Sequence, residues 1–256
     1  DFTRQTGVPL IRASSTCVDG RTVVALTQGE FTMDRPDKTP LRWRVPVSVR
    51  AGGGEPVRVL VDGTARMELP GCGAPVRVNA GQKGYFRTLY EPTQFKALAA
   101  DFAALPAVDQ LGLMLDAGAL AGVGLQPEAD LLDLAMQVPL DAAPELWQLV
   151  SGTLEDVDSL LQGDAERQRA FRAFARKRLA EKFQTLGWEV RADDDSTVRQ
   201  LRTGLIRTLG RFEDPQVLAE ARRRFDASSS DPAALPAELR RTVLGVVARS
   251  ADVATW

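Results

Sequence analysis

No histidine occurs anywhere in the 256 residues. Imidazole is the side chain whose ordinary pKa lies nearest neutrality, and it is the commonest neutral nitrogen ligand for zinc. Its absence excludes Ser-His-Asp and Cys-His nucleophile systems, imidazole general bases and the H-E-x-x-H zinc helix from these residues. Cysteine is scarce as well. Cys17 and Cys72 are too few for a disulfide framework, and neither has another soft ligand near it in sequence to make a metal knuckle. Both are read as core or loop thiols, with pairing left open because spatial separation is not encoded in the letters. The compartment is left open with it. Neither sign of charge is in excess: 32 Lys and Arg face 34 Asp and Glu for a net charge of −2, which gives no reason to expect nucleic acid or an acidic membrane as partner. Long apolar runs are missing too. The most apolar stretch, residues 111–125, is interrupted by Asp116 and falls short of the roughly 20 residues a bilayer span needs, so it is read as a buried helix. The chain opens on Asp1 with no basic-then-apolar leader, which suggests a removed signal or a cut from something longer.

What is present divides into two parts. A hydrophobic content of 44% supports two ordinary domains, placed at residues 1–90 and 91–256. In the first, Trp43, Val45, Val47 and Val49 alternate with Arg42, Arg44, Pro46, Ser48 and Arg50, the period of a half-buried strand. Pro46 cannot donate to a ladder and belongs at an edge or bulge. Gly52-Gly53-Gly54 turns the chain, and Val57, Val59 and Val61 alternate again, predicting a hairpin. Short segments at Val8–Ala13, Thr22–Phe31, Arg66–Leu69, Val76–Ala80 and Tyr85–Tyr90, separated by Gly, Pro, Asp and Asn, predict a small antiparallel β-sandwich of two packed sheets.

After Pro92 the period becomes that of a helix. Phe95, Leu98, Phe102 and Leu105 share one face, and Pro106, Pro127, Pro144, Pro215, Pro232 and Pro236 stand near helix starts, where a missing N–H has no partner to lose. Stripes such as Leu146, Trp147, Val150 and Leu154, then Leu201, Leu205, Ile206 and Leu209, predict stacked helical pairs. The expected class is therefore multidomain β plus α, a sandwich followed by a HEAT- or armadillo-like superhelix. A last helix from Glu238 to about Ser250 is followed by a tail, Ala251–Trp256, that starts like another helix; an array broken off there would expose apolar side chains for self-association.

The candidate sites are weak. Gly81-Gln82-Lys83-Gly84 lies between strand-like segments, which favours a hairpin turn over a phosphate cradle. Gly118, Gly122 and Gly124 lack a preceding strand and read as helix-packing positions, not a dinucleotide fingerprint. Asp193-Asp194-Asp195 lacks the alternating ligands of a calcium loop and reads as a solvated loop with a helix cap at Asp195 or Ser196. Arg167, Arg169, Arg172, Arg176, Lys177, Arg178 and Lys182 read as a solvated face over a core stripe of Phe171, Phe174, Leu179, Phe183 and Leu186. Arg222-Arg223-Arg224 is read the same way. RNA binding through these arginines is the least favoured function, since aromatics that pack inward cannot stack on bases.

Three segments carry a resemblance: Val78-Asn79-Ala80-Gly81-Gln82-Lys83-Gly84-Tyr85-Phe86-Arg87-Thr88-Leu89-Tyr90, Leu186-Gly187-Trp188-Glu189, and Asp214-Pro215 through Glu220-Ala221-Arg222-Arg223-Arg224-Phe225. With Gln5-Thr6-Gly7-Val8-Pro9 before them and Leu235-Pro236-Ala237-Glu238-Leu239-Arg240 to Trp256 after, they resemble the C-terminal half of the aminopeptidase N and puromycin-sensitive aminopeptidase family. That resemblance implies a zinc-dependent exopeptidase whose N-terminal β domain and catalytic domain would precede Asp1. It implies a sandwich that bridges to the catalytic domain and a helical bowl that encloses the peptide chamber. Zinc would belong to the parent enzyme only. The family's zinc helix and its G-x-M-E-N motif have no counterpart here, so no catalytic or metal residue is assigned, and peptide-contacting residues are left unassigned. The expected partners are the other domains of the parent chain and its peptide substrates. The alternative is a free-standing helical array that binds a protein partner.

Overall fold

The computed structural model describes residues 6–33, 39–249 and 251. Gln5, Ser250 and the segment 252–256 lie outside them, and with them most of the expected tail helix. The chain divides into two compact units between Gln137 and Val138.

The first unit opens with seven strands: β1 (Val8–Val18), β2 (Arg21–Phe31), β3 (Arg44–Ala51), β4 (Val57–Asp62), β5 (Thr64–Pro70), β6 (Val76–Val78) and β7 (Arg87–Tyr90). The expected hairpin is present, with Val45 opposite Val61 and Val47 opposite Val59. β6 pairs with β3 only from Val49 to Ala51, so among the described residues no strand pairs with the far side of β3 at Pro46, where a missing N–H is harmless. The expected two sheets take a modified form. Hydrogen bonding joins all strands in the order β6-β3-β4-β5-β2-β1-β7, and β4 meets β5 at the single pair Asp62 and Thr64. Gly63 makes that corner at φ 81°, a value open to glycine at no steric cost. Ile11, Val24 and Leu26 from one side of the corner share a core with Trp43, Val45, Val47, Val49 and Val78 from the other, so the two faces still pack together. One pair departs from antiparallel: β7 returns to run parallel to β1, Leu10 opposite Arg87.

Cys17 and Cys72 correct the thiol reading. They form a disulfide, with Cα atoms 5.6 Å apart. Two successive registers bring them together: β1 places Cys17 opposite Thr22, and β2 places Thr22 opposite Leu69, just before the turn that carries Cys72. Thr22 Oγ1 donates to Gly71 O at 2.7 Å and holds that turn in place. Both cysteines are exposed, so they were never core thiols.

Three helices complete this unit: α1 (Pro92–Ala100), α2 (Ala107–Gly122) and α3 (Glu128–Gln137), with a single 3-10 turn at Phe102–Ala104. Phe95, Leu98, Phe102 and Leu105 are all buried, as their spacing predicts. Each such side chain contributes roughly 1.5–3 kcal/mol by leaving water.

The second unit contains α4 (Pro144–Leu160), α5 (Ala165–Leu186), α6 (Ser196–Arg211), α7 (Pro215–Ala227) and α8 (Ala237–Ala248). Helix α6 packs on both α4 and α8, with α5 set against α4 and α6 and α7 against α6 and α8. That alternation is the array of helical pairs. Pro144 and Pro215 sit in the first turns of α4 and α7, and Pro106 and Pro236 immediately precede α2 and α8. Asp164, Asp195 and Asp214 cap α5, α6 and α7 by accepting from backbone N–H groups of the first turn, each worth about 1 kcal/mol. Gly210 lets α6 approach α8: a Cβ there would stand 2.6 Å from Val246 Cγ2. Among the described residues, no helix is long and apolar enough to cross a membrane.

Candidate functional site

The motif that carries most of the resemblance is fastened to helix α2. Its turn closes on itself, since Gly84 N donates to Asn79 Oδ1 at 2.8 Å and Asn79 Nδ2 donates to Gly84 O at 3.0 Å. These bonds hold Asn79 and Gln82 at φ 58° and 52°, the left-handed region that L side chains rarely occupy. Gly81 N donates to Asp109 Oδ1 at 2.7 Å, and Arg77 Nη1 donates to Asp109 Oδ2 at 2.9 Å. Seven residues along α2, Asp116 accepts from Thr88 N at 3.0 Å and from Arg87 Nη1 at 3.1 Å. Seven residues is almost two helical turns, so the two carboxylates share one face of α2 and grip the motif at two points. Gly112 lies between them, and the Gln82 side chain occupies the space a Cβ would need.

Burial pushes the Asp116 carboxyl up to about 6, against the pull of the Thr88 N–H and the Arg87 guanidinium. Burial likewise raises Tyr90, whose hydroxyl stays neutral, accepts from Val78 N at 2.8 Å and donates to Val78 O at 3.3 Å. The carboxylates are therefore already matched with arginines and backbone N–H groups. The cavity they enclose is about 20 Å³, room for a water and not for a substrate. This arrangement is a clasp.

A second clasp, in the helical unit, joins the other two motif segments. Gly187 ends α5 at φ 67°, and Trp188 meets Phe183 edge to face at 5.6 Å. Arg224 of α7 lies over the Trp188 ring at 5.0 Å, bonds Glu189, and donates to Glu220 Oε1 at 2.7 Å. Arg223 also donates to Glu220, and the two arginines hold that carboxyl down to about 2. Arg224 is buried, so the reading of Arg222-Arg223-Arg224 as a solvated face is corrected for that residue. Arg222 and Arg223 remain exposed beside Asp226 and Glu220.

The basic helix is corrected in the same sense. Arg172 forms a two-point bond to buried Asp158 at 2.6 and 3.1 Å, and Arg176 donates to Phe212 O at 2.9 Å and Glu213 O at 3.1 Å. Arg178 lies 4.8 Å over Trp147, and Lys182 donates to Leu140 O at 2.7 Å. Burial pushes the Lys182 ammonium below its ordinary range. Phe174, expected inside, is exposed, while Ala175, Leu179 and Phe183 are buried. Most of these cations are spent on neighbouring elements and are not displayed. Asp195 caps α6 as expected, but Asp194 is not simply solvated: Arg202 Nη2 donates to it at 2.6 Å, and the Arg191 N–H does most to hold its carboxyl below the usual range. Gly118 touches Leu131 of α3, a packing position, whereas Gly122 and Gly124 meet nothing.

Sequence reasoning read Asp116 only as a break in an apolar run and passed over Asp109. The available signal was their spacing, two acids seven apart on an apolar helix. Among the described residues, no group of three or more Cys, Asp and Glu side chains is placed to hold a metal ion. A groove of about 360 Å³ runs along α4 and α6, lined by Gln148, Ser151, Glu155, Thr203 and Arg207. Gly152 and Gly204 also line it, and a Cβ on either would meet nothing, so backbone can be approached closely there.

Fold and clasps together define a class: a β module tied by a conformationally special turn to its own helices, followed by an array of helical pairs. The chain belongs to the ERAP1-like C-terminal domain family, whose model matches residues 75–256. The match begins just before β6 and includes both clasps. Among curated relatives, the chain is 26% identical to Aminopeptidase 2 of Candida albicans over 100% of its own length and 28% of the relative's. It is 26% identical to puromycin-sensitive aminopeptidase of Caenorhabditis elegans over 97% of this chain and 27% of that protein. Aminopeptidase N of Lactococcus lactis subsp. lactis is 22% identical over 95% of this chain and 29% of its own. The chain thus spans about a quarter of the length of the relatives it matches.

Proposed function

We propose that these residues form a non-catalytic scaffold of a zinc-dependent aminopeptidase. In this reading the strand region, residues 1–90, bridges to a catalytic domain, and the helices from residue 91 onward enclose the chamber that holds the peptide. The observation that carries it is coverage: similarity to proteins named as aminopeptidases runs along nearly the whole chain yet takes up only about a quarter of each. Donor chemistry supports it, because without histidine and without a clustered set of acids or thiols the described residues do not fit zinc, and the metal would be held elsewhere in the parent. The groove along α4 and α6 offers hydrogen-bonding side chains over an open floor, which suits an extended peptide backbone. The exposed disulfide supports folding in an oxidising compartment.

An assay with an aminoacyl reporter and added zinc tests the reading. The expected result is no turnover by the 256-residue chain alone. Chelator-sensitive turnover by that chain would overturn it.

A further inference from the structure

Near its Gly52–Gly54 turn, the outward face of the β3–β4 hairpin carries positive charge that no described side chain answers. Strand alternation sends Val45, Val47 and Val49 into the core and turns Pro46, Ser48 and Arg50 outward. Register then sets Ser48 opposite Arg58, and Arg50 opposite Arg77 on β6. Arg77 is matched by Asp109. Arg50, Arg58 and Lys83 have no hydrogen-bonding or ion-pairing side chain among the described residues, and Arg50 Nε is buried with no acceptor at all. Like charges directly opposite each other on a sheet repel, and a buried donor without an acceptor is unfavourable; Asp109 offsets the charge of Arg77, while Arg50 keeps both its charge and its Nε–H unanswered by any described side chain.

Arg50, Arg58 and Lys83 border one groove of about 480 Å³, whose remaining wall is largely apolar, with Pro46, Pro106 and Val108, and also includes Asp109, a carboxylate already held by Arg77 and Gly81 N. We infer that this groove is a binding site for a carboxylate borne on a small apolar body. The guanidinium groups present planar donors that match the two oxygens of a carboxylate, Lys83 adds a point charge from the turn, and the prolines and valine receive the apolar part. A bound carboxylate sets an anion beside Arg50 and Arg58 and screens Arg50 from Arg77. The inference is independent of the aminopeptidase reading, because it concerns equilibrium binding to the strand-bearing unit and needs no turnover.

The test titrates the whole chain with three probes: N-acetyl-leucine, its neutral amide, and inorganic phosphate. Backbone amide shifts and the thermal midpoint are the readouts. N-acetyl-leucine is expected to saturate, to move the amides of Ser48, Gly81 and Gly84, and to raise the midpoint, while the amide analogue does not. The exposed pair Arg58→Gln with Lys83→Gln is expected to weaken binding at least tenfold with an unchanged ligand-free midpoint. Arg50→Gln is expected to do the same with an equal or higher ligand-free midpoint, the opposite of what a purely structural arginine would show. Equal binding of the neutral amide, binding of phosphate without N-acetyl-leucine, undiminished affinity in the Arg58/Lys83 variant, or no saturable binding would each overturn the inference.

Discussion

Replacing Cys17 and Cys72 together by serine tests the tertiary arrangement of the strand-bearing unit. The disulfide joins residues 55 apart in sequence, so in the unfolded chain it closes a loop of that order. The chain-entropy relation for such a loop gives a loss of about 14 cal/mol/K, or about 4 kcal/mol at 25 °C. Both side chains are exposed, so the change from sulfur to hydroxyl removes little buried apolar area, and the measurement isolates the cross-link. With a urea m-value of about 2 kcal/mol/M, the unfolding midpoint of this unit should fall by about 2 M. The assay is urea unfolding of the native and doubly substituted chains, each with and without reductant. Reductant should lower the midpoint of the native chain to that of the variant and leave the variant unmoved. Coincident curves for oxidised native protein and variant, or two titratable thiols in the unreduced folded chain, would refute the pairing.

The remaining predictions concern the clasps and helix packing. Asp116 has a folded-state pKa of about 6, above its ordinary 3.8. The folded state therefore binds more protons between those values, so this group's contribution makes the protein more stable as pH falls from 7 to 5, by about 1 kcal/mol; Asp116→Asn should abolish that increment in pH-dependent urea unfolding. Arg224→Ala removes a buried guanidinium that bonds Glu189 and Glu220 and covers Trp188, and should destabilise the helical unit by about 3 kcal/mol, read as a lower thermal midpoint. Gly210→Ala and Gly204→Ala lie on the same helix with opposite expectations. The first drives a Cβ to 2.6 Å from Val246 Cγ2 and should destabilise by about 1–3 kcal/mol, while the second meets open space and should stabilise by about 0.5–1 kcal/mol through helix propensity.

Much of the local structure was legible in the letters because it rests on short-range physics. Alternation of Val45, Val47 and Val49 with polar neighbours set β3 and its inward face, and the turn at Gly52–Gly54 set its partner. Prolines near helix starts and the Asp195 cap marked helix boundaries to within a residue or two, since an orphan N–H or a missing one is a property of the adjacent backbone. The absence of histidine excluded imidazole as a base or ligand among these residues, with no need of coordinates.

Tertiary structure alone decided the rest. Whether Cys17 meets Cys72 depends on two strand registers in series, and a one-residue slip in either would separate them. Whether an arginine is solvated or buried depends on which element arrives over it: Arg224 and Arg223 are adjacent in sequence, yet only Arg224 lies against Trp188. Asp116 looked like a flaw in an apolar helix because the strand that completes it, with Thr88 and Arg87, returns from 28 residues away. Periodicity reports which side of an element faces inward, but the identity of the group waiting there is set by chain topology, and that information is nonlocal.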